Sequence, residues 1–600
     1  MLWDGARRNT TAGNFGLGHQ RLSILDLSPA GRQPMSDESG ELWIVFNGEI
    51  YNFKEIAEEL GKKGYRFRSG TDTEVILYAY REWGLECVHR FNGMFAMALR
   101  DFRDGKLHLI RDRLGVKPLY YYWKDSAFAF ASELKALLAF PSFERELDSD
   151  ALQQYFIFQY VPGPKSIFRN TWKLMPGQIL SLSENGQLEK KTYWDVSSVL
   201  LAADAQRERK EEEILEELND LLTRSVRYRM ISDVPVGAFL SGGVDSSLIV
   251  AMMQKMSREP VHTFSIGFKD SKFDEAPHAR AVANYLGTQH QELYVGLNQV
   301  RESLPRVSEY FDEPFADTAA IPTMLLSELA RSEITVSLSG DGGDELFAGY
   351  ARYLTMARAR FLLRAPHALR AAGGVLTRIP SNFIRDHSFW LEPSADLEQF
   401  YLRLMSTWTP DTLRQLTGIS SVDLSETIFH RTFAEQKTRG AIEQASLVDI
   451  RTYLVDCILT KLDRASMSVS LEAREPFLDY KLVEFAVGLP LRWKIRNGQQ
   501  KYILKRLLRN YLPEALFDRP KQGFNMPLAQ WLRGELREMA TTYLDTNFLS
   551  SQGLFDPRTV QRLVDEHFRG TRDHYPKLYS LIIFQLWHHT YALPQIPAFA

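Results

Sequence analysis

The sequence predicts a chain in two parts: an α+β sandwich, then an α/β unit on a parallel sheet that ends in a mainly helical region. Three observations predict it. Roughly the first 200 residues carry short β-prone runs separated by turn signals. From about residue 234 strand, loop and helix alternate, which calls for parallel strands covered on both faces. After about residue 360 helical sequence dominates. A length of 600 residues also exceeds one ordinary domain.

In the first part, Leu42-Trp43-Ile44-Val45-Phe46 reads as a strand ending at Asn47-Gly48, a turn signal. Met94 to Leu99 and Lys106 to Ile110 flank Asp104-Gly105, a hairpin signature. Tyr120 to Trp123 and Phe128 to Ala131 form another strand pair, and Thr73 to Trp83 a helix. The polar stretch Ala203 to Glu213 marks the boundary between parts 1–195 and 205–600. Its charges read as a solvated helix face. Ile214, Leu218, Leu221 and Leu222 then recur at helical spacing.

In the second part, Val236 to Leu240 reads as a strand, Ser241 to Ser247 as a loop and Leu248 to Met256 as a helix. Val261 to Phe268 and Ile334 to Leu338 are further strands, with a helix from Asp274 to Leu286.

Composition narrows the function. Lys and Arg number 72 against 75 Asp and Glu, so no bulk positive field exists to hold nucleic acid. Two cysteines, Cys87 and Cys457, exclude a disulfide framework and a Cys-rich metal site. No apolar run approaches the ~18–20 residues of a membrane helix, and Met1 to Arg8 is not followed by the apolar segment of a signal peptide. These features predict a cytoplasmic protein with no nucleic-acid or membrane partner. They leave the oligomeric state open, a homodimer included.

Two loops carry the chemistry. In Ser241-Gly242-Gly243-Val244-Asp245-Ser246-Ser247 the glycines permit close backbone approach. Hydroxyls and free N–H groups ahead of a helix make an anion cradle. Asp245 beside phosphates makes sense with a bridging cation. Ser339-Gly340-Asp341-Gly342-Gly343-Asp344-Glu345 also follows a strand, and ligands of open α/β sheets bind beyond the carboxyl ends of strands. Asp245 and Asp344 would then share one Mg²⁺. The plainer alternatives are a Gly/Ser turn and a capped helix. With no Lys the first loop is not the Gly-x-x-x-x-Gly-Lys-Ser/Thr phosphate loop. Its string is that of the pyrophosphate-loop ATPases, which release AMP and pyrophosphate. Lys461 to Met467, Glu472 to Asp479 and Gln500-Lys501-Tyr502 are also unusually polar. Physics alone reads them as ion-paired helix faces and a turn, and periodicity does not single out Lys501.

At these residues the chain resembles the glutamine-dependent asparagine synthetases. The likeness spans nearly the whole chain. It adds Asp312-Glu313-Pro314-Phe315 and Lys521-Gln522-Gly523-Phe524 in the second half. In the first half it rests on Leu17 to Ile24, Asn47-Gly48-Glu49-Ile50-Tyr51-Asn52 and Ser69-Gly70-Thr71-Asp72. The resemblance implies an N-terminal-nucleophile glutaminase sandwich, truncated at its start, joined to a pyrophosphate-loop ATPase. It implies that aspartate and ATP give β-aspartyl-AMP and pyrophosphate, and that ammonia then gives asparagine and AMP. Leu240 and Ile266 would line the adenosine pocket with Ser339 and Gly340 nearby. Ser241, Gly243, Asp245 and Ser246 would hold the pyrophosphate. Lys501 would stabilise charge on the phosphate. Asp341, where some relatives carry Glu, would sit by the acyl-adenylate. For glutamine it implies Arg21 on the carboxylate, Asp72 on the amine, Glu49 in the pocket, and Asn47 and Gly48 as an oxyanion hole.

One departure bears on the nitrogen source. The family begins with Met followed by a nucleophilic Cys, whereas Leu2 follows Met1 here. Cys87 and Cys457 read as buried apolar cysteines. The expectation is a chain without the nucleophile for glutamine hydrolysis, using free ammonia. A misassigned start and an ammonia-only form both fit. The motifs read ATP and not the acid, so another carboxylate acceptor, such as a surface-polysaccharide sugar acid, remains the alternative. Residues around Asp312 to Thr323 are expected to help choose it. A decayed homologue acting as a scaffold is disfavoured by the intact loops.

Overall fold

A computed structural model describes residues 5–10, 13–202, 209–268, 274–363, 396–419, 423–519 and 526–592. The start at Met1-Leu2 and the Lys521-Gln522-Gly523-Phe524 motif lie outside the described residues.

The first part opens with a hairpin, β1 (Gly5–Thr10) and β2 (Gly13–Gly18). A six-stranded antiparallel sheet follows, built from β3 (Met35–Ser36), β4 (Leu42–Ile50), β5 (Gly93–Asp101), β6 (Lys106–Arg111), β10 (Gln178–Leu182) and β11 (Leu188–Thr192). A three-stranded sheet holds β7 (Tyr120–Lys124), β8 (Ala127–Ala131) and β9 (Thr171–Lys173). The alternation of β4 and β5 makes the sandwich. Ile44, Phe46, Met97 and Leu99 face helices α1 (Phe53–Lys62) and α2 (Asp72–Trp83). Val45, Ala96 and Ala98 face Leu119, Tyr121 and Leu174 around the smaller sheet.

Asn47-Gly48 does not end the strand. β4 runs on to Ile50 because Asn47 and Gly48 pair with Ala96 and Phe95 of β5. Gly48 has φ +138°, and a Cβ there would strike the Met94 carbonyl, so close backbone approach and not a turn explains this glycine.

The second part opens with α3 (Glu211–Arg229), whose Ile214, Leu218, Leu222 and Val226 form the buried stripe. The parallel sheet takes the order β14 (Gln289–Val295), β13 (His262–Phe268), β12 (Val236–Phe239), β15 (Val336–Leu338), β16 (Glu472–Arg474). The last of these corrects the reading of Glu472–Arg474 as a helix face: it pairs with β15 at the sheet edge. Around the sheet lie α4 (Val244–Met256), α5 (Ala276–Leu286) and α6 (Ala320–Arg331). A π-helical turn, Leu454–Leu459, leads into α7 (Thr460–Met467), and α8 (Tyr502–Leu508) follows a short hairpin.

α4 starts at Val244, four residues before its apolar stretch. Asp245 and Ser246 therefore stand on its first turn and not in a loop. The two parts share core: Ile24, Tyr51, Met94 and Val116 are buried together with Leu248, Leu338 and Leu478. Among the described residues no helix is long and apolar enough to cross a membrane.

Candidate active site

β12 and β15 are neighbours in the sheet, so the loops at their carboxyl ends meet. Gly242 adopts φ +71°, and a Cβ there would lie 2.7 Å from the His278 carbonyl carbon. Gly340 is packed almost as closely: a Cβ would sit 2.8 Å from the Ser246 nitrogen. The glycines thus let one loop rest on the first turn of α4. Ser241 and Ser246 hydroxyls are 2.9 Å apart, and the Gly243 N–H donates to Ser241 Oγ at 3.3 Å. Arg519 donates to the Ser241 carbonyl at 3.0 Å.

A cavity of about 680 Å³ opens over these loops. Leu240, Ser241, Gly243, Asp245, Ser246, Ser339, Gly340, Asp341, Asp344 and Lys501 all line it. Ile266 does not. It faces the core with Phe264 and Phe268 on β13, while its neighbour Ser265 points to the cavity, as the period of two requires.

Lys501 is the junction. It adopts φ +54° at the start of α8, and its ammonium pairs with Asp344 Oδ1 at 2.7 Å and also with Asp245. Burial opposes its charge, but Asp245 and Asp344 outweigh burial and hold the ammonium above its usual range. Two carboxylates that converge on one cationic point are a donor set a hard divalent ion accepts. Among the described residues no group of three or more His, Cys, Asp or Glu forms a metal site.

Of the other cavity residues, Asp317 falls in the stretch Asp312 to Thr323 expected to choose the acceptor and Lys461 in a segment noted as polar, but neither is named there as a site residue, and Tyr350 and Glu275 go unnoticed in the sequence. Asp317 and Lys461 form an ion pair of 2.8 Å on the cavity wall, and Tyr350 and Glu275 line it too. No local pattern joins Asp317 to Lys461, since their contact spans 144 residues of chain.

The glutamine-pocket residues are set differently. Asn47, Gly48 and Glu49 lie at the end of β4, and Asp72 accepts from the Ile50 N–H at 2.8 Å. The structure thus brings these four together. Asn47 Nδ2 donates to Ser132 Oγ at 3.3 Å. Arg21 instead folds into its own loop, donating to the carbonyls of Leu25 (2.7 Å), Asp26 (2.8 Å) and Ser28 (3.3 Å). Glu49 is buried against Arg474 of β16 at 3.3 Å. Burial raises the carboxyls of Glu49 and Asp72 above their ordinary range. Cys87 is buried in the core of the first part and Cys457 beside Asp317, 3.4 Å from its carboxylate. Burial pushes both thiols up.

Fold and site define a class: an amidotransferase-type sandwich joined to an α/β unit with a charged cavity of about 680 Å³. The family model for asparagine synthase matches residues 217–589, and that for the glutamine amidotransferase domain matches residues 4–194. The glutamine-hydrolyzing asparagine synthetase 1 of Bacillus subtilis is 34% identical over 96% of this chain and 89% of its own. The asparagine synthetase 3 of the same organism is 30% identical over 84% and 79%. Amidase chry2 of Gibberella zeae is 26% identical over 92% and 87%. The chain belongs to the asparagine synthase family. It is a ligase of that family, whose members carry out ATP-dependent amidation.

Proposed function

We propose that the cavity binds ATP with Mg²⁺ and amidates aspartate to asparagine. The observation that carries this is Lys501 held between Asp245 and Asp344 where the two loops meet. An oxygen of the aspartate side chain attacks the α-phosphorus, and the bond to pyrophosphate breaks. Nitrogen of ammonia then attacks the acyl carbon of β-aspartyl-AMP, and the bond to AMP breaks with loss of a proton. Ser241, Gly242, Gly243 and Ser246 present hydroxyls and N–H groups to the leaving pyrophosphate, with Lys501 on its charge. Asp245 and Asp344 would hold the metal, which supplies charge neutralisation there. Leu240, Ser339 and Gly340 border the adenosine side. Asp341 lies by the acyl carbon and takes the proton.

The nitrogen source follows from the cysteines. The chain holds only Cys87 and Cys457, one in an apolar core and one beside Asp317, so no thiol stands with Asn47, Gly48, Glu49, Asp72 and Arg21. The 600-residue chain would draw on ammonia. The division into a glutaminase-like part, 1–195, and a synthetase part, 205–600, belongs to the same proposal. The test is pyrophosphate release and asparagine formation with ATP, Mg²⁺ and aspartate, given ammonium or glutamine. Asparagine from ammonium alone supports the reading. Asparagine from glutamine overturns the nitrogen assignment, and pyrophosphate released only with sugar acids would replace the acceptor.

A further inference from the structure

A cavity that activates an amino acid's side-chain carboxylate must also hold its other end. That end carries an ammonium and a carboxylate, which need an anion and a cation a few ångströms apart. The Lys501 group is occupied with Asp245 and Asp344 at the phosphate end. A second charge pair lines the same cavity: Lys461 Nζ lies 2.8 Å from Asp317 Oδ2.

Both members are anchored by separate elements. Asp317 precedes α6, and its Oδ1 accepts from the Ala319 N–H at 2.9 Å. Its Oδ2 receives the Cys457 Sγ–H at 3.4 Å. Lys461 stands on the first turn of α7. Their side chains are 17% and 12% exposed, so each keeps a face open to the cavity. Asp341, on the second loop, lines the same cavity as the pair.

Resting on the reading of the cavity as the synthetase site, we propose that Asp317 and Lys461 are the head-group subsite for an α-amino-acid acceptor. Asp317 takes the α-ammonium and Lys461 the α-carboxylate. A zwitterionic head exchanges one charge pair for two without changing the net charge of the wall. A sugar acid without an amine leaves Asp317 on Lys461 and forms neither of the two new pairs, so it gains nothing from this end of the cavity. The pair therefore selects amino acids over sugar acids, and the length of the side chain then decides which carboxylate reaches the α-phosphorus.

The test uses the full chain with ammonium as nitrogen source. In Asp317→Asn and Lys461→Gln the KM for aspartate rises roughly 10–100-fold, the equivalent of a lost hydrogen bond to a charged group. The KM for ATP stays near that of the parent. Succinate, which lacks the ammonium, supplies the second readout as a competitive inhibitor. Asp317→Asn leaves succinate binding unchanged or tighter, whereas Lys461→Gln weakens succinate and aspartate alike. Should either single variant fold poorly, the double variant removes the pair without net charge and must still lose aspartate affinity. An unchanged KM for aspartate, or an equal loss for aspartate and succinate in Asp317→Asn, overturns the subsite. A parent chain that releases no pyrophosphate with aspartate or any other amino acid overturns the reading beneath it, and the subsite with it.

Discussion

Lys501 sets its ammonium between two carboxylates in one small space. Asp245 and Asp344 would repel across the cavity mouth without the ammonium between them. Gly349 makes room for this arrangement, since a Cβ there would collide with both Asp344 and Lys501. In the proposed reaction Lys501 would also meet the charge that develops on pyrophosphate. Lys501→Gln is expected to lower the rate of pyrophosphate release by roughly 10²–10³-fold. It is also expected to lower the melting temperature, because the two carboxylates then face each other without the Lys501 ammonium between them. On the proposed reading Mg²⁺ would bind between these carboxylates, so added Mg²⁺ should recover melting temperature in the variant without recovering the rate. A calorimetric scan and an initial-rate assay separate the two effects. Equal recovery of both would refute a role for Lys501 on the phosphate.

Loops and strands transmit this geometry through glycine. Gly242→Ala asks an alanine to take φ +71° with its Cβ against the His278 backbone. The strain is about 1–3 kcal/mol, visible as a lower urea midpoint. Gly340→Ala acts otherwise: its backbone is unstrained, but the Cβ meets the Ser246 nitrogen at 2.8 Å. It should push the two loops apart, raising the KM for ATP with a smaller effect on the urea midpoint. These glycines were legible in the sequence because loops that pack this closely need bare backbone. The hairpin at Asp104-Gly105 was legible for a similar reason, and β5 and β6 pair across it. Other features were hidden by the same local logic. The first turn of α4 is polar, so Asp245 and Ser246 read as loop until the helix is seen to begin at Val244. β4 passes through Asn47-Gly48 because β5 supplies partners that no local signal announces. Glu472–Arg474 is a strand only because β15 lies beside it. Asp317 and Lys461 meet across the fold, and nothing near either residue points to the other.

At the scale of the whole molecule the two parts are joined by buried charge. Asn92 Nδ2 donates to Asp479 at 2.7 Å, Glu49 meets Arg474, and Lys117 Nζ lies 2.9 Å from Asp463 Oδ1. Glu475 lies in this seam, and burial pushes its carboxyl up to about 8, against the pull of Lys117 and with the charge of Asp341 adding to the rise. A carboxyl raised in the fold binds its proton more tightly there than in the unfolded chain. Its contribution to stability is therefore full below its ordinary value of 4.5 and is lost as pH climbs through about 8. Glu475→Gln should flatten the fall of melting temperature between those two pH values. Lys117 and Asp463 test whether the seam is a matter of charge or of packing. Their side chains are only 3% and 9% exposed. Lys117→Met strands a buried carboxylate and should cost about 3–5 kcal/mol in urea unfolding. Lys117→Met with Asp463→Leu removes both charges and should recover most of that loss, because desolvating an ion pair consumes much of its attraction. A double variant no more stable than Lys117→Met would show that the parts are held by the pair itself. Recovery would show that apolar contacts such as Tyr51 and Val116 with Leu478 hold them, with the charges fixing register between the sheet that carries Asn47 and the cavity that carries Asp341.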